Sequence, residues 1–145
     1  MRLFSVMFGL AILASAPAVC GQKAAITQEI DPRTTQAYSM LIQRQVKVQA
    51  KLEAMMHEYS SEWPAAKELQ TELDALKLEM KKLRELDPNL IPKLTSGVGA
   101  LILRKATLIT EIKVMADEYE SEWPEAKEKQ RELELLNKQI EKILS

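Results

Sequence analysis

The chain has 145 residues, with 20 basic and 21 acidic side chains and a formal net charge of −1. Nucleic acids and anionic membranes attract proteins with a basic excess, so this balance argues against both as partners. A single cysteine, Cys20, excludes an intrachain disulfide and a cysteine-based zinc site. Abundant Glu, Lys, Leu and Ala with only four glycines indicate an all-α protein.

Residues 1–21 have the pattern of a cleavable signal peptide. Arg2 is followed by an apolar run and then by Ala16-Pro17-Ala18, a cleavage-site motif. A membrane-spanning helix needs about 20 apolar residues, and Pro17 shortens the run. Loss of Arg2 would leave 19 basic and 21 acidic side chains, a net charge of −2. We therefore expect an exported protein, periplasmic or secreted, with no stable membrane insertion after cleavage.

Cys20 lies in the cleavage zone, which raises the question of lipidation. A bacterial lipoprotein carries its modified cysteine behind a Leu-Ala/Ser-Gly/Ala triplet, whereas Pro17-Ala18-Val19 precedes Cys20. We therefore disfavour a lipoprotein.

The rest of the chain is one unit written twice. The segment "EYSSEWPAAKE" begins at Glu58 and "EYESEWPEAKE" begins at Glu118, and aligning 41–85 on 101–145 gives 18 identities. The motifs "EIDP" at Glu29 and "ELDP" at Glu85 are offset by 56 instead of 60, so the connection "NLIPKLTSGVG" holds four extra residues. We predict two helical hairpin repeats, 29–84 and 85–145.

Each repeat contains two segments with apolar residues at helical spacing. The four stripes are Tyr38, Leu41, Val48, Leu52, Met55 and Tyr59; Ala66, Leu69, Leu73, Leu76, Met80 and Leu83; Val98, Leu101, Lys105, Leu108, Ile112, Met115 and Tyr119; and Ala126, Lys129, Leu133, Leu136, Ile140 and Ile143. One stripe per helix predicts the seam of a coiled coil or of a four-helix bundle. The third segment is the most apolar, so we expect it to be the most buried helix.

Gln45 and Lys105 occupy equivalent polar positions in these seams. Such a residue can fix the register of the helices. Alternatively, its flexible side chain can reach water from a wide seam. We favour the second interpretation.

Pro64 and Pro124 divide each repeat. Proline inside a helix costs about 3 kcal/mol, whereas in the first turn it costs almost nothing. We therefore predict that a new helix begins here and that the chain reverses into an antiparallel hairpin. A single kinked helix is the alternative, because the apolar spacing continues across the proline.

The residues around each proline suggest how the turn is built. Ser61 and Ser121 are candidate N-caps, and Glu62 and Glu122 would lie at the positive end of a helix dipole. We expect the aromatic pairs to cover the bend or to contact a partner; the candidate site residues are Tyr59, Trp63, Pro64, Tyr119, Trp123 and Pro124.

This turn resembles the "Tyr…His-Pro" turn in the coiled-coil regions of bacterial chain-length determinant proteins (polysaccharide co-polymerases). The residues that carry the resemblance are Tyr59, Trp63, Pro64, Leu73 and Leu76, and Tyr119, Trp123, Pro124, Leu133 and Leu136. It implies a helical hairpin in the cell envelope. Trp stands where the family has His, and the sequence has no second membrane segment and no nucleotide-binding loop, so a role in polysaccharide assembly does not carry over.

No residue pattern indicates catalysis. His57 is the single histidine, and Asp117 takes its place in the second repeat, so we interpret both as surface residues. Glu58 with Glu62, and Glu118 with Glu122, could form carboxylate sites, but helix capping explains them better. We expect no enzyme activity, no cofactor and no metal.

A duplicated element that carries no catalytic pattern favours a non-enzymatic helical scaffold or adaptor. Its expected partner is a protein of the cell envelope, and self-association through coiled-coil seams is a further possibility. Two alternatives remain open at this point, which are a saccharide-binding module using the Tyr/Trp tips and a holdase-type chaperone of the periplasm.

Overall fold

The computed structural model describes residues 30–118 and 123–145, which form an all-α structure as predicted. Four long helices follow one another in the described part, α1 Gln36–Glu58, α2 Pro64–Arg84, α3 Ser96–Glu118 and α4 Pro124–Leu144. Short 3-10 helices cover Pro32–Thr34 and Pro88–Lys93. The signal-peptide prediction for residues 1–21 lies outside the described residues, as do Tyr119, Ser121 and Glu122.

The chain reverses between α1 and α2, so the helix is not continuous through Pro64. Arg44 Nε lies 2.5 Å from Glu72 Oε1, although the two residues are 28 positions apart. A continuous helix would separate them by about 42 Å at 1.5 Å per residue. In the second repeat, Arg104 contacts Glu132 across the same 28 positions. Both contacts join the two helices of a hairpin.

The proline sets where α2 begins, two residues later than the serine pattern suggested. Trp63 is the N-cap, with extended backbone (φ −63°, ψ 131°), and Pro64 is the first helical residue. Proline disfavours helical backbone in the residue before it, so Trp63 cannot be part of the helix. The prediction that Ser61 caps α2 is therefore wrong, and no side chain caps this helix. Ser121 lies outside the described residues.

The predicted stripes are mostly buried in the first repeat, whereas in the second repeat most of their described residues are only partly buried or are exposed. In the first repeat, the buried stripe residues are Tyr38, Leu41, Val48, Leu52, Ala66, Leu73, Leu76, Met80 and Leu83. In the second repeat they are Val98, Leu108, Ala126, Leu136 and Ile140. Tyr59 at one end of the first stripe and Ile143 at the end of the last remain 47% and 40% exposed.

The helices pack in sequence order, with α3 in the middle. Helix α3 packs against both helices of the first hairpin, and α4 packs against α3. The sequence predicted that α3 is the most buried helix; among the described residues it has the most helical neighbours, whereas α2 has the larger number of buried residues. Within the described ranges, none of the helices is both long and apolar enough to cross a membrane.

The Lys105 side chain is largely buried between the helices, contrary to the expectation that it reaches water. Its side chain is only 14% exposed, and its Nζ lies 3.2 Å from a carboxylate oxygen of Glu79 on α2. Glu79 is 5% exposed and also binds Lys82 at 2.7 Å. A buried charge needs such a partner, and this pair joins α3 to α2. The interpretation in which Lys105 reaches water is therefore wrong, and a role of this position in setting the register stays a prediction.

Helices α1 and α3 begin side by side and approach closely. The hydroxyl oxygen of Thr35 accepts a hydrogen bond from the Tyr38 amide, and that of Thr95 accepts one from Val98. The Ala37 amide contacts the Leu94 carbonyl at 3.4 Å. A Cβ added to Gly99 would lie 2.8 Å from the Ala37 Cα, so glycine is what permits this approach.

We predict that Gly99→Ala destabilises the fold. The new methyl group would meet backbone, and overpacking of this kind costs about 1–3 kcal/mol. That cost exceeds the gain of up to about 1 kcal/mol from the higher helix propensity of alanine. Urea unfolding followed by circular dichroism measures the change.

Gly97→Ala is the matched control. A Cβ at Gly97 meets only the Thr95 hydroxyl, at 3.7 Å. We expect this variant to be as stable as the wild type or slightly more stable. Equal stability of the two alanine variants would contradict the close approach of α1 and α3.

Candidate functional site

The predicted site residues of the first repeat lie together at one end of the hairpin. Tyr59 is the C-cap of α1, Trp63 is the N-cap of α2, and Pro64 begins α2. The Tyr59 amide donates to the Met55 carbonyl at 2.8 Å, and the Trp63 amide donates to the Ser60 carbonyl at 3.1 Å. We call residues 59–64 the first tip. Its backbone is held by hydrogen bonds on both sides of the bend.

The two aromatic rings of the first tip pack on each other. Their centroids are 5.0 Å apart and their planes are inclined by 31°. Tyr59 is 47% exposed and Trp63 is 49% exposed, so the rings cover the bend on one side and face solvent on the other. The prediction left open whether these residues cover the turn or meet a partner, and this geometry is compatible with both roles.

The second repeat begins its second helix in the same way. Trp123 is the N-cap of α4 with extended backbone (φ −61°, ψ 136°), and Pro124 follows as the first helical residue. Trp123 is 44% exposed. Tyr119 lies outside the described residues. The two Trp-Pro elements thus have matching backbone geometry and matching exposure.

An ion pair joins the first tip to the start of α2. The Lys67 Nζ lies 2.7 Å from a carboxylate oxygen of Glu62. The hydrogen bond and the positive charge of Lys67 lower the pKa of the Glu62 carboxyl below its usual value. Glu62 therefore stays ionised at the tip, where its partner explains it without a bound cation.

A groove runs from the first tip along the outside of the first hairpin. Its volume is about 540 Å³, and it reaches from Tyr59 and Met55 to the ion pair of Arg44 with Glu72. Lys51 and Leu69 line its middle on the two helices. Apolar side chains and charges of both signs line the groove. No pattern in the sequence indicated it.

At the equivalent place, ion pairs bridge the second hairpin. Position 69 is Leu and position 129 is Lys, while position 51 is Lys and position 111 is Glu. Lys129 Nζ lies 2.8 Å from Glu111, whose other carboxylate oxygen is 3.6 Å from Arg104. The two hairpins therefore share the Trp-Pro element but present different surfaces along their length.

The Arg–Glu pair within each hairpin could have been found from the sequence. Arg44 and Glu72 are identical to Arg104 and Glu132 in the second repeat. In an antiparallel hairpin that reverses near residue 61, Arg44 and Glu72 lie on the two facing helices, about six residues from direct opposition. The signal was the identity of these opposite charges in both repeats.

No group of three or more His, Cys, Asp or Glu residues that could hold a metal occurs in residues 30–118 and 123–145. His57 lies on the exposed surface of α1, next to the first tip.

Comparison with known proteins adds no relative: no protein-family model, curated protein or solved structure matches the chain. The resemblance of the Tyr–Trp–Pro turn to chain-length determinant proteins stays a prediction.

We predict that Lys67→Met raises the pKa of Glu62 towards the ordinary value of a glutamate, because the variant removes the hydrogen bond and the charge that lower it. The lowered pKa means that the pair stabilises the fold above the unfolded-state pKa of Glu62. That contribution disappears as the pH falls through the folded-state value. NMR titration of the side-chain carboxyl measures both variants.

Lys77→Met serves as the control, since Lys77 is exposed on α2. The Lys77→Met variant should leave the pKa of Glu62 unchanged. An unchanged Glu62 pKa in Lys67→Met would show that the ion pair does not form in solution.

Proposed function

We propose that the protein is a non-enzymatic helical scaffold or adaptor that is exported to the cell envelope and binds a protein partner through its aromatic tips. The observation that carries this proposal is the duplicated Trp-Pro element with a half-exposed Trp. Trp63 and Trp123 are 49% and 44% exposed.

The exposure of these side chains is what favours binding over packing. Trp and Tyr bury a large area when they enter a core or an interface, and they dominate the energetic hot spots of interfaces. Tyr59 and Trp63 contact each other yet leave about half of their surface to solvent. A role confined to covering the turn would be served by less exposed rings.

The framework behind the tips supports recognition by a preorganised surface. The extended backbone at Trp63, the fixed φ of Pro64 and the backbone hydrogen bonds of the bend hold the first tip in place. The ion pair between Arg44 and Glu72 ties α1 to α2 farther along the hairpin. A surface that is already ordered loses less conformational entropy on binding.

Export to the envelope is supported by the sequence of residues 1–21. The absence of a catalytic pattern in the sequence, described above, supports a binding role in place of enzyme activity. Export and a non-enzymatic binding role are therefore parts of this proposal, as is the protein partner.

The test is affinity capture from envelope extract with quantitative mass spectrometry. The wild type is compared with the double variant Trp63→Ala/Trp123→Ala. Truncation of a hot-spot residue costs about 2 kcal/mol or more, so partner recovery should fall by about tenfold or more. Circular dichroism should show that the double variant keeps its helix content, because both side chains are half-exposed.

Leu78→Ala is the control for loss of exposed apolar area. Leu78 is 50% exposed, and it lies on α2 away from the tips. The partners should be retained by this variant. Equal recovery by the wild type and the double Trp variant would refute docking through the tips.

The exposed rings also favour one alternative, a saccharide ligand stacked on Trp. Binding of a sugar ring would change the tryptophan fluorescence, because both tryptophans lie at the tips. We expect no change on titration with envelope glycans. A saturable change that is lost in Trp63→Phe/Trp123→Phe would assign the tips to saccharide binding.

A further inference from the structure

The internal contact between the two repeats uses a second face of α2. Ala75, Glu79 and Leu83 lie one helical turn apart, and they are 7%, 5% and 4% exposed. Glu79 binds Lys105 of α3, and Ala75 belongs to the same buried cluster as Ala106 of α3. This face of α2 is therefore a docking face for α3.

The second repeat has the equivalent face on α4, and there the face is exposed to solvent. The repeat offset of 60 places Leu135, Gln139 and Ile143 at these three positions. Leu135 is 61% exposed, Ile143 is 40% exposed, and Gln139 is exposed as well. We call these three residues the α4 face. Among the described residues, no helix packs on it as α3 packs on α2.

The complementary half of the contact is also present, and its two apolar residues are exposed. Ile102 and Ala106 of α3, which flank Lys105, are 2% and 1% exposed. Their counterparts on α1 are Ile42 and Val46, which are 41% and 62% exposed. Gln45 stands between them in place of Lys105. We call Ile42, Gln45 and Val46 the α1 face.

We propose that a second copy of this chain docks its α1 face onto the α4 face of the first copy, repeating between molecules the packing of α3 on α2. Helical repeat arrays grow in this way, with each new hairpin stacked on the preceding one. The contact joins two different surfaces, so it is heterologous and generates a ring or an open filament.

The polar residues of the two faces match each other. The internal contact pairs Lys105 with Glu79, and the proposed contact pairs Gln45 with Gln139. A lysine facing a glutamine, or a glutamate facing one, would leave a charge without its partner. Two amides can each donate and accept a hydrogen bond, so the neutral pair is complementary.

The sizes of the side chains change together as well. Ala106 corresponds to Val46 and Ala75 to Leu135, so the side chain is larger at these two positions of the proposed contact, whereas Ile42 and Ile102 are identical. We expect the docked helices to lie farther apart than α2 and α3, because the larger Val46 and Leu135 need that space.

This contact is independent of the aromatic tips, which lie at the other end of α1 and at the start of α4. It goes beyond the proposed function, and the failure of either proposal leaves the other standing. The Trp63→Ala/Trp123→Ala variant should self-associate as the wild type does.

The test uses the full chain and one charge on each face. Sedimentation velocity of the wild type up to about 1 mM, the weak end of specific association, should show association that increases with concentration. Val46→Glu and Leu135→Glu should each be monomeric under these conditions. Both positions are more than half exposed, so the monomers should keep wild-type helix content and stability.

Mixing the two variants separates a heterologous contact from a symmetric one. The Val46→Glu chain keeps its α4 face and the Leu135→Glu chain keeps its α1 face, so the mixture should form a dimer of one copy of each and nothing larger. A symmetric dimer through either face would persist in one of the single variants. That result, or a wild type that stays monomeric at every concentration, would overturn the proposal.

Leu78→Glu is the control for charge at an exposed apolar position outside both faces, and it should associate like the wild type. Disulfide trapping gives an independent readout in a chain carrying Cys20→Ser. Gln45→Cys mixed with Gln139→Cys should give a crosslinked heterodimer, whereas Gln45→Cys mixed with Glu141→Cys should not. Equal trapping of both mixtures would also contradict the proposed contact.

Discussion

The structure depends on the inability of proline to continue a helix. Pro64 has no amide hydrogen to donate, and its ring holds Trp63 in extended backbone, so α1 must end and α2 must start afresh. The five residues between Glu58 and Pro64 are too few to do more than turn the chain back. Once it turns back, the apolar stripes of α1 and α2 face each other, and the opposite charges of Arg44 and Glu72 meet.

The helices and the residues within each hairpin seam could be predicted from the sequence, because they depend on local spacing and on proline. The N-cap of α2 could not be predicted. Serine is a favoured N-cap residue, but the backbone restriction on the residue before proline is stronger and decides which residue takes the cap position. The burial of Lys105 could not be predicted either. Its partner Glu79 belongs to the other repeat, and nothing in the spacing of a single helix reveals which hairpin face will meet α3.

The aromatic tips and the proposed contact between copies differ in how the duplicated sequence encodes them. Ten of the 18 identities between the repeats lie within residues 58–70, around the Tyr–Trp–Pro turn. A turn has the same physical requirements in both copies, and identity there was enough to locate the candidate site. The exposure of its rings was not available from the pattern, because an aromatic residue at a bend can pack inward or outward. The structure supplied that information, with Tyr59 and Trp63 half-exposed and in mutual contact.

Some of the positions that differ between the repeats are those that the proposed contact between copies would use. Ala75 is covered by α3, whereas its counterpart Leu135 is 61% exposed and carries the larger apolar side chain. A face that met only water would gain nothing from this, since the outer side of a surface helix is ordinarily polar. The neutral Gln139 in place of Glu79 also has its counterpart in Gln45, on the other bare face. The larger apolar side chain on the α4 face and the neutral glutamine on each of the two faces have one common explanation if the α1 face of one copy packs on the α4 face of another.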